Sequence, residues 1–241
     1  MKKISLKIIP LLTILGSLAG VAACSGQPLI NGSGSSFPFT AHVMSIHHPT
    51  PDAQGDFPDL TTPNGREFTT DLGFDIVLEE ATLSWQHLDL ISGGNDPECE
   101  AGFDAHLELD GTEDLIGEDL VPLHLGDFAI EDRHYCQWEV TIGDIYLRGA
   151  WESGGANGSF TIESIEEVVK KAPFKAKVAD VEEEHPIHFH DGETDLEIIF
   201  GIQYDQLLDG IDFEVDSDAV IEAQVLSNLE SLVHQHLGAH I

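Results

Sequence analysis

Phe103-Asp104-Ala105-His106-Leu107-Glu108-Leu109-Asp110 places apolar residues on odd positions and polar ones on even. A period of two describes a β-strand with one buried and one wetted face. Similar runs recur at Phe74 to Leu78, Ala81 to Leu90, His134 to Ile142, Ile145 to Trp151, Phe174 to Val178 and Leu196 to Ile202. Turn-forming clusters lie between them, such as Ser92-Gly93-Gly94-Asn95-Asp96-Pro97 and Glu152-Ser153-Gly154-Gly155-Ala156-Asn157-Gly158. About seven strands at this spacing predict a mainly β fold, an antiparallel β-sandwich or open barrel. The regular exchange of strands and long helices that a doubly wound sheet requires is missing.

Two segments depart from the alternation. From Asp218 onward, Ile221, Val225, Leu229, Leu232 and Val233 recur at three- and four-residue intervals, with Asp218 and Glu222 in the first turn. This spacing predicts a C-terminal amphipathic helix running to about Leu237. A second helix is expected over Ile162 to Lys171, where Glu163, Glu166 and Glu167 precede Lys170 and Lys171.

The N-terminus reads as an export signal. Lys2, Lys3 and Lys7 precede an apolar stretch from Ile8 to Val21, and Val21-Ala22-Ala23-Cys24 closes it. An apolar core of about 14 residues falls short of the roughly 20 needed to span a bilayer. Val-Ala-Ala-Cys resembles the lipobox of bacterial lipoproteins, which implies a signal peptide over residues 1–23 and a lipid on Cys24; an ordinary signal peptide ending near a cysteine is the alternative. Ser25 after that cysteine favours the outer membrane, so the chain is expected in the cell envelope, anchored by lipid. Residues 24–40 are rich in glycine and serine and read as a flexible tether, leaving 41–241 as a single β-rich domain.

Taking Lys2, Lys3 and Lys7 from the ten basic residues leaves seven against 44 acids, a formal charge of −37. Nucleic acid is excluded as a partner, because phosphate binding needs clustered lysine and arginine. So acidic a surface serves either solvation in a salty habitat or attraction of cations. With Cys24 acylated, Cys99 and Cys136 remain, and an oxidising compartment favours a disulfide between them over a pair of thiolate ligands.

Thirteen histidines carry the chemistry. In His185-Pro186-Ile187-His188-Phe189-His190, a strand would put His188 and His190 on one face, roughly 7 Å apart at Cα, from where both reach one metal ion. Glu182, Glu183, Glu184, Asp191 and Glu193 surround them as additional or orienting ligands. At the chain end His236 and His240 would chelate as an i,i+4 pair if the helix holds to its last turn, with His234 near Glu230. A third cluster, His42, Met44, His47 and His48, follows the tether, and a thioether beside imidazoles suits reduced copper. Asp104, His106, Glu108 and Asp110 share one strand face, which alternation alone makes a polar outer face. His87, in phase with Leu83 and Trp85, and His134, in phase with Cys136 and Trp138, are expected at the edge of the core. The chain has no G-x-S-x-G elbow, H-E-x-x-H helix, Walker loop or GxGxxG motif, so no catalytic residues are assigned and no enzyme is expected.

Ala81-Thr82-Leu83-Ser84-Trp85, the segment Leu125-Gly126-Asp127-Phe128 leading to Tyr135-Cys136, and the run Leu196 to Phe213 before the closing helix resemble the periplasmic copper-associated β-proteins encoded beside di-haem peroxidase-like partners, the metallo-mystery-pair type. The resemblance covers about 130 residues. That family is marked by four cysteines, against Cys99 and Cys136 here beside the lipidated one. It implies a metal-binding β-sandwich with Trp85, Trp138 or Trp151 near the metal, and a haem-protein partner.

Residues and resemblance together predict a lipid-anchored, non-catalytic protein that captures zinc or copper through His188, His190, His185 and the C-terminal His234, His236 and His240, and hands the metal to a transporter or haem protein. Only neutral imidazoles bind metal, so affinity is expected to fall below about pH 6.5. The alternative is an acidic adhesion or assembly module whose histidines are incidental.

Overall fold

The computed structural model describes residues 39–94, 99, 104–131, 134–178, 181–184 and 195–238, with backbone alone at 175–184 and 236–238. Thirteen strands and one α-helix make up the described residues: β1 (Phe39–His48), β2 (Thr61–Thr62), β3 (Gly65–Thr69), β4 (Asp75–Ile91), β5 (Asp104–Asp114), β6 (Leu123–Ile130), β7 (Gln137–Ser153), β8 (Ala156–Ser164), β9 (Val168–Pro173), β10 (Lys175–Val178), β11 (Val181–Glu184), β12 (Asp195–Gln203), α1 (Asp218–Leu232) and β13 (Val233–Gly238). The mainly β expectation holds, as two multi-stranded sheets that do not close into a barrel.

The larger sheet is built on β4 and β7, each 17 residues long. They pair antiparallel along their whole length and each serves two further neighbours, β3 and β5 on β4, β8 and β9 on β7. Strands of this length, about three times the usual five or six residues, stay amphipathic here by means of bulges. The ladder slips between Leu78 and Glu80, between Thr82 and Ser84, and between Trp85 and His87. Along β4 the buried side passes from Ile76 and Leu78 to Ala81, Leu83 and Trp85, and then to Leu88 and Leu90. An extra residue in one strand inverts the inward set beyond it. The sequence runs Phe74 to Leu78 and Ala81 to Leu90 are therefore one strand, and so are His134 to Ile142 and Ile145 to Trp151.

The smaller sheet has the order β13, β12, β1, β6, with β1 parallel to β12 and the other pairs antiparallel. β1 begins at Phe39, two residues inside the segment read as tether. Phe200 of this sheet meets the indoles of Trp85 and Trp138 at ring separations of 5.6 and 5.1 Å, and that contact marks the core between the sheets. Helix α1 buries Ile221, Val225, Leu229 and Leu232 and packs on β8, β9 and β12.

The helix expected to reach Leu237 ends at Leu232 instead, because Val233 turns to extended backbone and starts a strand on β12. The sequence from Val233 to Gly238 also alternates, and pairing with β12 satisfies backbone groups that a fraying last turn would leave to water. No helix forms over Ile162 to Lys171. Ile162 belongs to β8 and Val168 to β9, and the Ser164 hydroxyl accepts the Glu166 N–H at 3.1 Å, closing a turn where the helix would have started.

A disulfide joins Cys99 to Cys136, tying the β4–β5 connection to the entry of β7. A second tie is polar and buried. Arg66, 1% exposed, donates to both carboxylate oxygens of Asp119 at 3.1 and 3.0 Å, to Thr61 Oγ1 at 2.5 Å and to the Gly117 carbonyl, and lies 5.3 Å from the Tyr204 ring centroid. Beside it, buried Glu113 accepts from Ser45 Oγ and from His47 Nδ1, the latter at 2.7 Å. Arg66 enters this network from a tight hairpin. Gly65, at φ 132°, passes so close to β4 that a Cβ would lie 2.0 Å from the Leu78 carbonyl oxygen.

Two stability measurements check these ties. Asp119→Ala buries the Arg66 guanidinium without its carboxylate and is expected to cost about 3–5 kcal/mol in urea unfolding. Reducing the disulfide, with its sequence separation of 37, is expected to cost about 4 kcal/mol by loop-closure entropy. In each case a midpoint unchanged from the parent chain contradicts the expectation.

Candidate metal centre

β1 sorts the histidines that follow the tether. Its residues Ala41, Val43, Ser45 and His47 are buried, whereas His42, Met44 and Ile46 alternate with them on the outer face. The cluster His42, Met44, His47, His48 is therefore divided among three environments.

His47 enters the buried network, where Nδ1 contacts Glu113 and Nε2 lies 3.6 Å from Asp119 Oδ1. The order Ser45–Glu113–His47 puts the carboxylate between hydroxyl and imidazole, so the imidazole is not placed to take the serine proton as a nucleophile's base does. Burial holds the Tyr204 phenol far above its usual range, with the Asp119 charge as a second cause, so it stays neutral.

His42 lies outside, 2.6 Å from Asp127, whose same oxygen accepts from His124 at 2.8 Å. The hydrogen bond to Asp127 raises the His42 pKa, and the bonds from His124 and then His42 lower that of Asp127. On the larger sheet His106 contacts Asp89 at 2.6 Å and Glu108 at 3.1 Å, and these bonds, Asp89 first, raise its pKa. Asp104, His106, Glu108 and Asp110 are all exposed, as the alternation predicts. His87 corrects its expected place. The slip after Trp85 turns it away from the core, so that Nε2 meets Thr141 Oγ1 at 2.8 Å and its ring lies 5.0 Å from His106. His134 is exposed rather than at the core edge.

His48 closes β1, and it meets His234. In register, Ile46 pairs with Gly201 of β12 and Gly201 pairs with His234 of β13, so His234 starts two strands away from β1, about 10 Å at the usual spacing. Its ring crosses that distance by lying over Gly201. A Cβ there would sit 2.4 Å from His234 Nε2 and 2.7 Å from Cε1. The imidazoles face each other with Nε2···Nε2 at 3.3 Å and ring centroids 5.3 Å apart.

Each Nδ1 points at a backbone carbonyl, His48 at Pro49 O at 2.8 Å and His234 at Leu232 O at 3.0 Å. A carbonyl only accepts, so both Nδ1 atoms are assigned as donors, and the Nε2 atoms are the ones that meet. The separation matches the edge of a tetrahedral site, about 3.3–3.4 Å for bonds of 2.0–2.1 Å. A square-planar cupric site would set adjacent nitrogens at about 2.8–2.9 Å.

The structure thus places His234 opposite His48. The helix that would make His236 and His240 an i,i+4 pair ends at Leu232: His236 falls in β13 opposite Ile199, and His240 lies outside the described residues. His185, His188, His190 and Cys24 also lie outside them. Among the described residues no group of three or more His, Cys, Asp and Glu is arranged to hold a metal ion, so the pair offers two ligands. Sequence reading missed it because the register that joins β1 to β13 through β12 is not a local property. The local signals were the alternation in Val233 to Gly238 and the glycine at 201.

A pH titration checks the surface assignments. Below about pH 6.5 His42 is charged folded or unfolded, so its bond to Asp127 contributes its stability there and loses it as pH rises through the higher folded pKa. Both groups are well exposed, so the effect on stability is small. By NMR the His42 midpoint is expected above 6.5 and is expected to move down in Asp127→Asn; a parent midpoint at or below 6.5 contradicts the assignment.

Among the described residues no helix is long and apolar enough to cross a membrane. No family model, no curated protein and no solved structure matches this chain.

Proposed function

We propose that this chain is a lipid-anchored, non-catalytic metal-binding protein of the cell envelope that captures zinc or copper through histidines. The observation that carries the reading is the His48–His234 pair, two imidazoles with Nε2 atoms 3.3 Å apart and both Nδ1 atoms engaged by backbone carbonyls. The tetrahedral edge favours zinc or cuprous copper over cupric. His236, two residues beyond His234 in the same strand, and the segment with His185, His188 and His190 are the sources of further ligands. The lipid on Cys24 holds the protein at the membrane, where a metal transporter or haem protein receives the ion.

The test uses the mature chain carrying Cys24→Ser, purified without a histidine tag, with elemental analysis followed by zinc, cuprous and cupric titrations. One ion is expected at micromolar affinity or tighter, about −8 kcal/mol. His48→Ala with His234→Ala is expected to weaken binding by about two orders of magnitude. Gly201→Ala removes no ligand but displaces the His234 ring, and is expected to weaken binding at least tenfold. A double variant that binds as tightly as the parent sinks the assignment to this pair. The matching His188→Ala with His190→Ala variant shows whether that segment supplies ligands. Weak binding that salt abolishes transfers the lead to the adhesion or assembly reading.

A further inference from the structure

A cavity of about 280 Å³ opens beside His48 and His234, walled in part by Leu120, and belongs to the site already described. A second cavity, of about 550 Å³, is lined by residues of β3, β4, β7 and β8 in the larger sheet. The register sorts its lining into two rows. Glu67, Val77 and Ala150 stand side by side on β3, β4 and β7; two residues along the same strands come Thr69, Asp75 and Glu152, joined by Asn157 of β8. Between the rows on β4 lies Ile76, whose side chain is buried, so by alternation both rows face away from the core. The small side chains of Val77 and Ala150 leave the hollow, and the exposed Glu67, Asp75 and Glu152 stand around it.

Elsewhere on this sheet outward carboxylates meet bases. Glu80 accepts from Arg148, Asp89 contacts His106 at 2.6 Å, and Glu139 lies 3.7 Å from Lys171. Around the cavity the pattern changes. Asp75 pairs directly with Glu152, and like charges opposite each other in a ladder are destabilising. A local rule broken in this way is the mark of a site. The Thr69 hydroxyl donates to Asp75 at 2.7 Å, which fixes that carboxylate without neutralising it. Among the described residues, these included, no three acids or histidines are arranged to hold a metal ion. By register Glu67 lies two strands and two residues from Glu152, about 12 Å at Cα. The charge that complements these carboxylates is therefore spread along a body and not gathered in one ion.

We infer that this cavity binds an aliphatic polyamine of the spermidine type. Asp75 and Glu152 together take one terminal ammonium and Glu67 takes the other, through charge-assisted N–H···O bonds that are stronger than neutral ones. The methylene chain between them lies over Val77 and Ala150, as a lysine stem lies along apolar surface. The Asn157 amide oxygen is a further acceptor beside Glu152. The volume falls within the usual small-ligand range of about 300–1,000 Å³. A neutral sugar would take hydration from three carboxylates and return no charge. A lysine side chain of a protein partner brings one charge and satisfies one end alone, which favours the free polyamine. The inference does not depend on metal capture at the His48–His234 pair.

The test is calorimetric titration of spermidine into the mature chain carrying Cys24→Ser, at about 0.1 M salt, where exposed charges more than about 10 Å apart are screened. One molecule per chain is expected to bind. Glu67→Gln with Glu152→Gln keeps the shape of both side chains, removes their charge, and is expected to weaken binding at least tenfold. Asp104→Asn with Asp110→Asn removes the same charge from the exposed face of β5 and is expected to leave the affinity within about twofold of the parent. Ala150→Leu keeps every carboxylate but fills the hollow, and is expected to weaken binding as much as the cavity pair does. The inference is overturned if spermidine binds without a saturating site, if the β5 pair weakens binding as much as the cavity pair, or if Ala150→Leu binds as tightly as the parent. Tighter binding of a trilysine peptide than of spermidine also overturns it, and assigns the cavity to a basic protein segment.

Discussion

The backbone ladder of β1 is the interaction on which the rest of this structure depends. β1 gives one edge to β12 and the other to β6, so β12 and β13 join β6 in one sheet only through it. Its register decides which side chains enter the core, because a slip of one residue would exchange Val43, Ser45 and His47 for His42, Met44 and Ile46. Glu113 guards against that slip. Its carboxylate takes both the Ser45 hydroxyl and the His47 imidazole, two residues apart on one face, and only the observed phase presents both inward. Through the bond from Leu120 N–H to the His47 carbonyl, the same strand also fixes the loop that walls the cavity beside His48.

What could be read in the sequence was local alternation, and it found most of the strands. It failed where the phase changed inside a strand. The pair Glu79 and Glu80 looks like the end of one run and the start of another, and Gln86 passes unnoticed inside a single run, whereas both places are bulges that allow β4 to continue for 17 residues. The same phase error put His87 on the core side. Helical periodicity fared similarly at the C-terminus. Ile221, Val225, Leu229 and Leu232 fit the helix, and Val233 is equally in phase with it, so only the availability of β12 as a partner decides that Val233 starts a strand. The candidate site was legible in its residue types and not in its grouping. His234 was singled out as a ligand and His48 as a member of another cluster, and 186 positions separate them. Their meeting follows from sheet order, a non-local property that no spacing rule reports.

Burial sorts the charges into two roles. Arg66 and Glu113 are nearly inaccessible, and each has hydrogen-bonding partners that return much of the lost hydration. Their contribution is specificity of register. The exposed pairs of His42 with Asp127 and of His106 with Asp89 are screened by water and hold little stability. The Arg66 Nε atom is buried without a partner, the one defect in an otherwise satisfied guanidinium.

A chain with a formal charge of −34 gathers cations of every kind. Charge alone therefore cannot select among them: sodium, magnesium and calcium answer to carboxylates as readily as zinc does, and they are usually more abundant. Selection requires a place where attraction does not come from carboxylate oxygen. The His48–His234 pair meets that requirement, since imidazole nitrogen suits a borderline or soft ion and, among the described residues, no carboxylate lines the cavity beside the pair. In the proposed role the acidic surface raises the local concentration of cations in general, and the imidazole pair within apolar walls makes the choice. The histidines that sit against acids are less suited to it: the neighbouring carboxylates favour the protonated forms of His42 and His106, and Asp127 engages the Nε2 of His124. Abundance of histidine is thus a poor guide to the site, and the two rings whose Nε2 atoms face each other at 3.3 Å are a better one.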